Sequence, residues 1–174
     1  MAIFAEEFQN LNDFFIHEIE GLYDAEKRLT DALPKMAEAA SDAQLKSAFQ
    51  MHLGQTEEHV RRLENIFAQL GYEPKRETSE AMKGIISEGD EIASAKGDPS
   101  VRDAGLITAG QRAEHYEIAS YGSARTHARH LGFNDIAQTL QKTLNEEGET
   151  DKKLTDLAER GINVRAPQGQ PTHA

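Results

Sequence analysis

Hydrophobic and polar positions along this chain repeat with helical spacing in four long segments, and polar residues interrupt each apolar stripe. In the first segment Phe15, Ile19, Leu22, Leu29 and Leu33 share one face, with Glu26 standing where an apolar residue is expected. In the second, Leu45, Phe49, Leu63, Ile66 and Leu70 share a face with His52, Thr56 and His59. The third offers Ile107, Ile118 and Tyr121 with Gln111 and Glu114 between them and Glu117 alongside. The fourth offers Ile136, Leu140, Leu144 and Leu154 with Glu147 and Asp151. A buried carboxylate is costly without a partner, so four such interruptions in one chain ask for a common cause.

Local signals set the boundaries. The first helix is predicted over 12–39, with Asn10 or Asn12 as N-cap and Pro34 disturbing its last turns. Ser41-Asp42-Ala43-Gln44 has the form of a capping box, which starts the second helix at Ser41, and Gly71 closes it after Leu70. The connection over 72–98 is longer than a bundle hairpin needs and contains its own helical pattern in Met82, Ile85, Ile86 and Ile92. Asp98-Pro99 starts the third helix, Gly132 ends it, and Asn134 is the expected cap of the fourth, which runs to Arg160 before Gly161. Two hairpins joined by one long link form an all-α, ferritin-like four-helix bundle with a long helical crossover. The bundle is expected over residues 1–161 and a flexible tail over 162–174, where apolar residues are few and prolines return.

Composition narrows the chemistry. A chain of 174 residues is long enough for one full core. Its 30 acidic and 19 basic side chains give a net charge of -11, which argues against nucleic acid as a partner. No apolar run approaches the roughly 18 residues of a membrane span, and no signal sequence opens the chain, so the expectation is a cytoplasmic protein that does not contact a membrane. The absence of cysteine excludes disulfides, thiolate zinc sites and iron-sulfur clusters, leaving oxygen and imidazole as metal ligands.

In an antiparallel hairpin, residues equidistant from the turn share a height, since each helix rises about 1.5 Å per residue. Glu26 then lies level with Gln55, within a turn of His52 and His59, while Glu114 and Glu117 lie level with residues 149–152, a turn from Glu147. Matched hairpins bring these groups to one point. Several carboxylates offset the charge of paired iron or manganese ions and bridge them, and imidazoles complete the ligand set. The candidate metal ligands are Glu26, His52, Glu114, Glu117 and Glu147, with Asp151 and His59 beside them. Taken singly, each has an ordinary alternative. A histidine on an apolar stripe is commonly a hydrogen-bonded core residue, Glu26 has Lys27 and Arg28 as neighbours, and Glu57, Glu58, Arg61, Arg62 and Glu64 read as surface pairing. Glu146 and Glu149 read as solvated, His115 as a group orienting a ligand carboxylate or a buried hydrogen-bonding histidine, and His127 and His130 as helix-end cations. Tyr23, Tyr116 and Tyr121 flank the carboxylates as packing or redox groups. The coincidence of height on four helices favours the metal reading.

The strings FIHEIEGLYDAEKRLTDALPKMAEAA, AFQMHLGQTEEHVRRLE, AEHYEIASYGSARTHARHLG and TLNEEGETDKKLTDLA resemble the bacterial YciF/YciE family of ferritin-like stress proteins, with EHYEIASYG the most specific. The resemblance covers nearly all of the chain except the tail. It implies a dimetal-type bundle, usually dimeric, that serves stress responses. The wider ferritin-like pattern implies a Glu-x-x-His pair on the second and fourth helices, whereas here Thr56-x-x-His59 and Glu147-x-x-Thr150 stand in those places, with Asp151 following.

The expected function is therefore that of a dimetal carboxylate protein, holding two iron or manganese ions per chain and reacting with peroxide or dioxygen or oxidising ferrous iron. The alternative is a structural or interaction protein of the stress response with a partial or empty metal site. A homodimer is expected, and nothing in the sequence points to the many-subunit shell that an iron-storage cage requires.

Overall fold

A computed structural model describes residues 7–168. Four long helices, α1 (Leu11–Ala39), α2 (Ala43–Leu70), α4 (Pro99–His130) and α5 (Asn134–Leu157), pair as the hairpins α1/α2 and α4/α5. The shorter α3 (Glu80–Ala93) lies in the crossover and packs on α1 and α4. This is the all-α ferritin-like bundle with a helical crossover.

The caps explain where the helices begin. Asn10 caps α1, its side-chain oxygen accepting from the Asp13 amide at 3.0 Å. The cap of α2 is Asp42 and not Ser41, because Asp42 accepts from the amides of Gln44 and Leu45. The Ser41 and Asp42 amides donate instead to the buried carboxylate of Asp103 on α4, at 2.9 and 2.7 Å. Ser79 caps α3, and Asp98 with Pro99 at the first turn starts α4. The residue before α5 is Phe133, which provides no side-chain cap, so Asn134 is already helical. Gly71 and Gly132 adopt φ of 79° and 81° at the ends of α2 and α4, a left-handed conformation that favours glycine. Helix α1 continues through the exposed Pro34 to Ala39 although the proline has no N–H to donate to the preceding turn.

The crossover is tied down by Asp24, a buried carboxylate on α1. It accepts from Arg28 Nε at 2.6 Å, Arg76 Nε at 2.9 Å and the Ser79 amide at 2.9 Å. At the other end the chain does not leave the bundle at Gly161. A π-helical turn, Ala158–Ile162, and one further turn, Asn163–Arg165, extend the helical path, and Ile162 is buried in the core. The expected flexible tail therefore does not begin at Ile162, since an apolar side chain with a place to pack holds the backbone there. The last six residues of that expected tail lie outside the described residues.

Apolar packing forms two layers. One contains Leu29, Leu33, Leu45, Phe49, Leu106 and Leu154; the other contains Phe15, Ile19, Leu63, Phe67, Tyr121 and Leu140. Each buried side chain of this size contributes about 1.5–3 kcal/mol. On the four long helices, Glu26, His52, His59, Glu114, Glu117 and Glu147 fall between the two layers. The site is consequently a polar slab with apolar packing above and below it.

Candidate metal centre

Within that slab the ligand-type atoms form two groups that share one residue. His52, Glu114, Glu117 and Glu147 each bring an atom within 4.8 Å of the others, and so do Glu26, His59 and Glu147. All six residues are buried. Helix α1 supplies Glu26, α2 both histidines, α4 Glu114 and Glu117, and α5 the shared Glu147. The spacing of seven between His52 and His59 places them two turns apart on one face of α2, which is how one helix serves both groups.

The contacts run along this axis. His52 Nε2 lies 3.2 Å from Glu114 Oε1 and 3.7 Å from Glu147 Oε2. His59 Nδ1 lies 2.9 Å from Glu147 Oε1 and 3.2 Å from Glu26 Oε1. Tyr121 donates its hydroxyl to Glu26 Oε1 at 2.5 Å. Among the described residues eleven buried side-chain atoms lack an aligned hydrogen-bond partner, and nine belong to Glu26, His52, Thr56, His59, Glu114, Glu117 and Glu147. Buried polar atoms are normally satisfied, so the deficit is concentrated in the slab. It consists largely of carboxylate oxygens and imidazole nitrogens, the donors that iron and manganese take. Four carboxylates also balance the charge of two divalent ions. The residues present fit a dinuclear centre.

The model of a domain of unknown function, DUF892, matches residues 10–167. The chain belongs to the DUF892 family. It is 43% identical over 159 residues to protein YciF of Escherichia coli strain K12, covering 91% of this chain and 96% of that one. The crystal structure of that E. coli stress protein superposes with a TM-score of 0.87 at 42% identity, over 91% of this chain and 100% of the other. YcfI from Rhodopseudomonas palustris superposes with a TM-score of 0.84 at 37% identity, covering 88% and 98%. A two-domain protein from Anabaena variabilis with DJ-1/ThiJ/PfpI-like and ferritin-like domains matches 95% of this chain and 42% of its own at 17% identity, with a TM-score of 0.62, a likeness of fold alone.

In this DUF892 chain, burial and crowding set the protonation of the cluster. Burial disfavours the imidazolium of His52, but Glu114 and Glu147 outweigh it and raise its pKa to about 9. The same opposition at His59, against Glu147 and Glu26, ends at about 11. Burial pushes Glu114 up to about 8 although His52 pulls the other way. Burial raises Glu117 well above the ordinary carboxylate value, and the neighbouring carboxylates add to that shift. Glu26 is raised, mainly by burial, whereas Glu147 is held low because the two histidines outweigh its burial. Without a metal ion, burial and crowding thus favour the anion at Glu147 and the proton at Glu117.

Six of the seven expected residues meet here. Asp151 does not: its Oδ1 accepts from Gln111 Nε2 at 3.0 Å and lies 3.2 Å from His115 Nε2, outside both groups. His115 is not buried, with its side chain 69% exposed, and it belongs to neither group. His127 pairs through Nδ1 with Glu18 Oε2 at 2.6 Å. Sequence reasoning missed Glu146 and Arg62. Glu146 Oε2 accepts from His59 Nε2 at 2.8 Å, and both its oxygens accept from Arg62, at 2.6 and 3.1 Å. Arg62 is buried and also donates to Thr143 Oγ1. The available signal was the spacing of three between His59 and Arg62, which turns both toward α5.

Proposed function

We propose that this protein holds a pair of iron or manganese ions between its two apolar layers and uses them in stress protection, reacting with peroxide or dioxygen or oxidising ferrous iron. What supports the reading most is the concentration of unsatisfied ligand-type atoms in two groups that share Glu147. Glu26 and His59 would hold one ion, His52, Glu114 and Glu117 the other, and Glu147 would serve both. Such a pair, when bound, supplies electrons to an oxidant. The protein's residues do the rest. Tyr121 fixes one oxygen of Glu26 and leaves Oε2 free for the cluster. The layers of Leu29, Phe49, Leu63 and Leu140 exclude bulk water, which strengthens every charge interaction in the slab.

One observation favours a second reading, a structural or interaction role with a partly filled site. Thr56 and Thr150 stand where a Glu-x-x-His ligand pair would put a carboxylate and an imidazole. In that case protons and the contacts of both histidines with Glu147 hold the slab together.

Anaerobic Fe(II) titration followed by one equivalent of peroxide separates the two readings. The dimetal reading expects a Glu147-dependent absorbance change from ferric product, faster than in buffer and lost in Glu147→Gln. Equal rates in wild type, variant and buffer favour the structural role.

A further inference from the structure

The two imidazoles of α2 approach the cluster through different nitrogens, and a residue of α5 contacts the other nitrogen of each. His59 is held between successive residues of that helix, with Glu147 Oε1 2.9 Å from Nδ1 and Glu146 Oε2 2.8 Å from Nε2. A carboxylate anchored by two bonds from Arg62 can only accept, so the proton on Nε2 is fixed and Nδ1 is the nitrogen turned to the ligand position.

His52 is arranged in the opposite sense. Its Nδ1 faces Thr150 Oγ1 at 3.3 Å and Gln55 Oε1 at 3.5 Å, while Nε2 faces Glu114 and Glu147. The Thr150 hydroxyl spends its single proton on the Glu146 carbonyl at 3.1 Å. It can therefore only accept from His52, as can the amide oxygen of Gln55, so Nδ1 carries hydrogen and Nε2 is left for a ligand.

We infer that Glu146 and Thr150, one turn apart on α5, are positioning residues that make His59 present Nδ1 and His52 present Nε2 to the cluster. An α5 that lacks the histidine of a Glu-x-x-His pair thus acts by aiming the histidines of its neighbour. The ligand arm of this inference rests on the metal reading above; the orientation arm does not.

The test is long-range ¹H–¹⁵N NMR of the histidine side chains, in the metal-free protein and after loading with Zn(II) as a diamagnetic probe. Wild type, Glu146→Ala, Glu146→Gln, Thr150→Val and Thr150→Ser are compared. In metal-free wild type, His59 Nε2–H and His52 Nδ1–H are expected as slowly exchanging, hydrogen-bonded protons. Glu146→Ala removes the first, Thr150→Val weakens the second, and the Gln and Ser variants retain them. With Zn(II), the metal-bound nitrogen is expected to be Nδ1 in His59 and Nε2 in His52. Zn(II) affinity should fall about 10- to 100-fold in Glu146→Ala and recover in Glu146→Gln. Metal on the same nitrogen of both rings, or unchanged affinity and unchanged protons in the Ala and Val variants, would overturn the inference. If Zn(II) fails to bind wild type, the metal reading fails, while the metal-free spectra still decide the orientation.

Discussion

At the scale of single residues, Glu147 distinguishes this site from a chance gathering of buried carboxylates. It belongs to both groups, so Glu147→Gln is expected to remove both binding events in calorimetric titration with Mn(II), whereas Glu26→Gln removes one. Equal loss in the two variants would count against a shared ligand. The protons held in the unmetallated cluster give a second prediction. His52 and His59, raised from 6.5 to about 9 and about 11, bind protons more tightly folded than unfolded. Their stabilising contribution is full below pH 6.5 and is lost as pH rises through the folded values; Glu114, raised from 4.5 to about 8, acts with the same sign. Metal-free protein should therefore unfold at lower urea concentration at pH 9 than at pH 6, and an unchanged or higher midpoint would contradict this protonation pattern. Metal binding should strengthen over the same interval, since ions displace those protons.

Elements show what was legible in the sequence and what was not. The stripes of α1, α2, α4 and α5 were plain because a period of 3.6 survives a few polar interruptions, and matched heights from the two turns were enough to assemble six site residues. Asp151 falls outside both groups although it lies one turn from Glu147, because height alone does not resolve which way a side chain turns. Glu146 and Arg62 looked solvated because their partners lie on different helices, more than eighty residues apart along the chain. Asp103 was invisible for the same reason: its hold on the Ser41 amide spans 62 residues and moved the α2 cap to Asp42. These long-range anchors carry their own prediction. Asp24→Ala leaves the buried Ser79 amide without its acceptor and should cost about 1–3 kcal/mol in urea unfolding. A loss below about 0.5 kcal/mol, the scale of an ordinary surface change, would show that the crossover is held by apolar packing alone.

For the whole molecule, the polar slab is assembled from all four long helices, so unfolding disperses its ligand-type residues and an ion that binds only the native arrangement stabilises it. An ion present at about 1,000 times its dissociation constant adds about 4 kcal/mol of stability. For a domain of this size that corresponds to a melting temperature higher by on the order of 10 °C. The bundle is expected to fold without the ions, because Leu, Phe and Ile side chains fill both layers. The YciF relationship carries stress physiology only as far as the relative's own description; the chemistry of this chain depends on what occupies the slab. The decisive measurement is the metal content of the purified protein by plasma mass spectrometry, after growth with iron and manganese and again after anaerobic reconstitution. About two ions of iron or manganese per chain are predicted, and metal no higher than in buffer after reconstitution of folded protein would contradict the account.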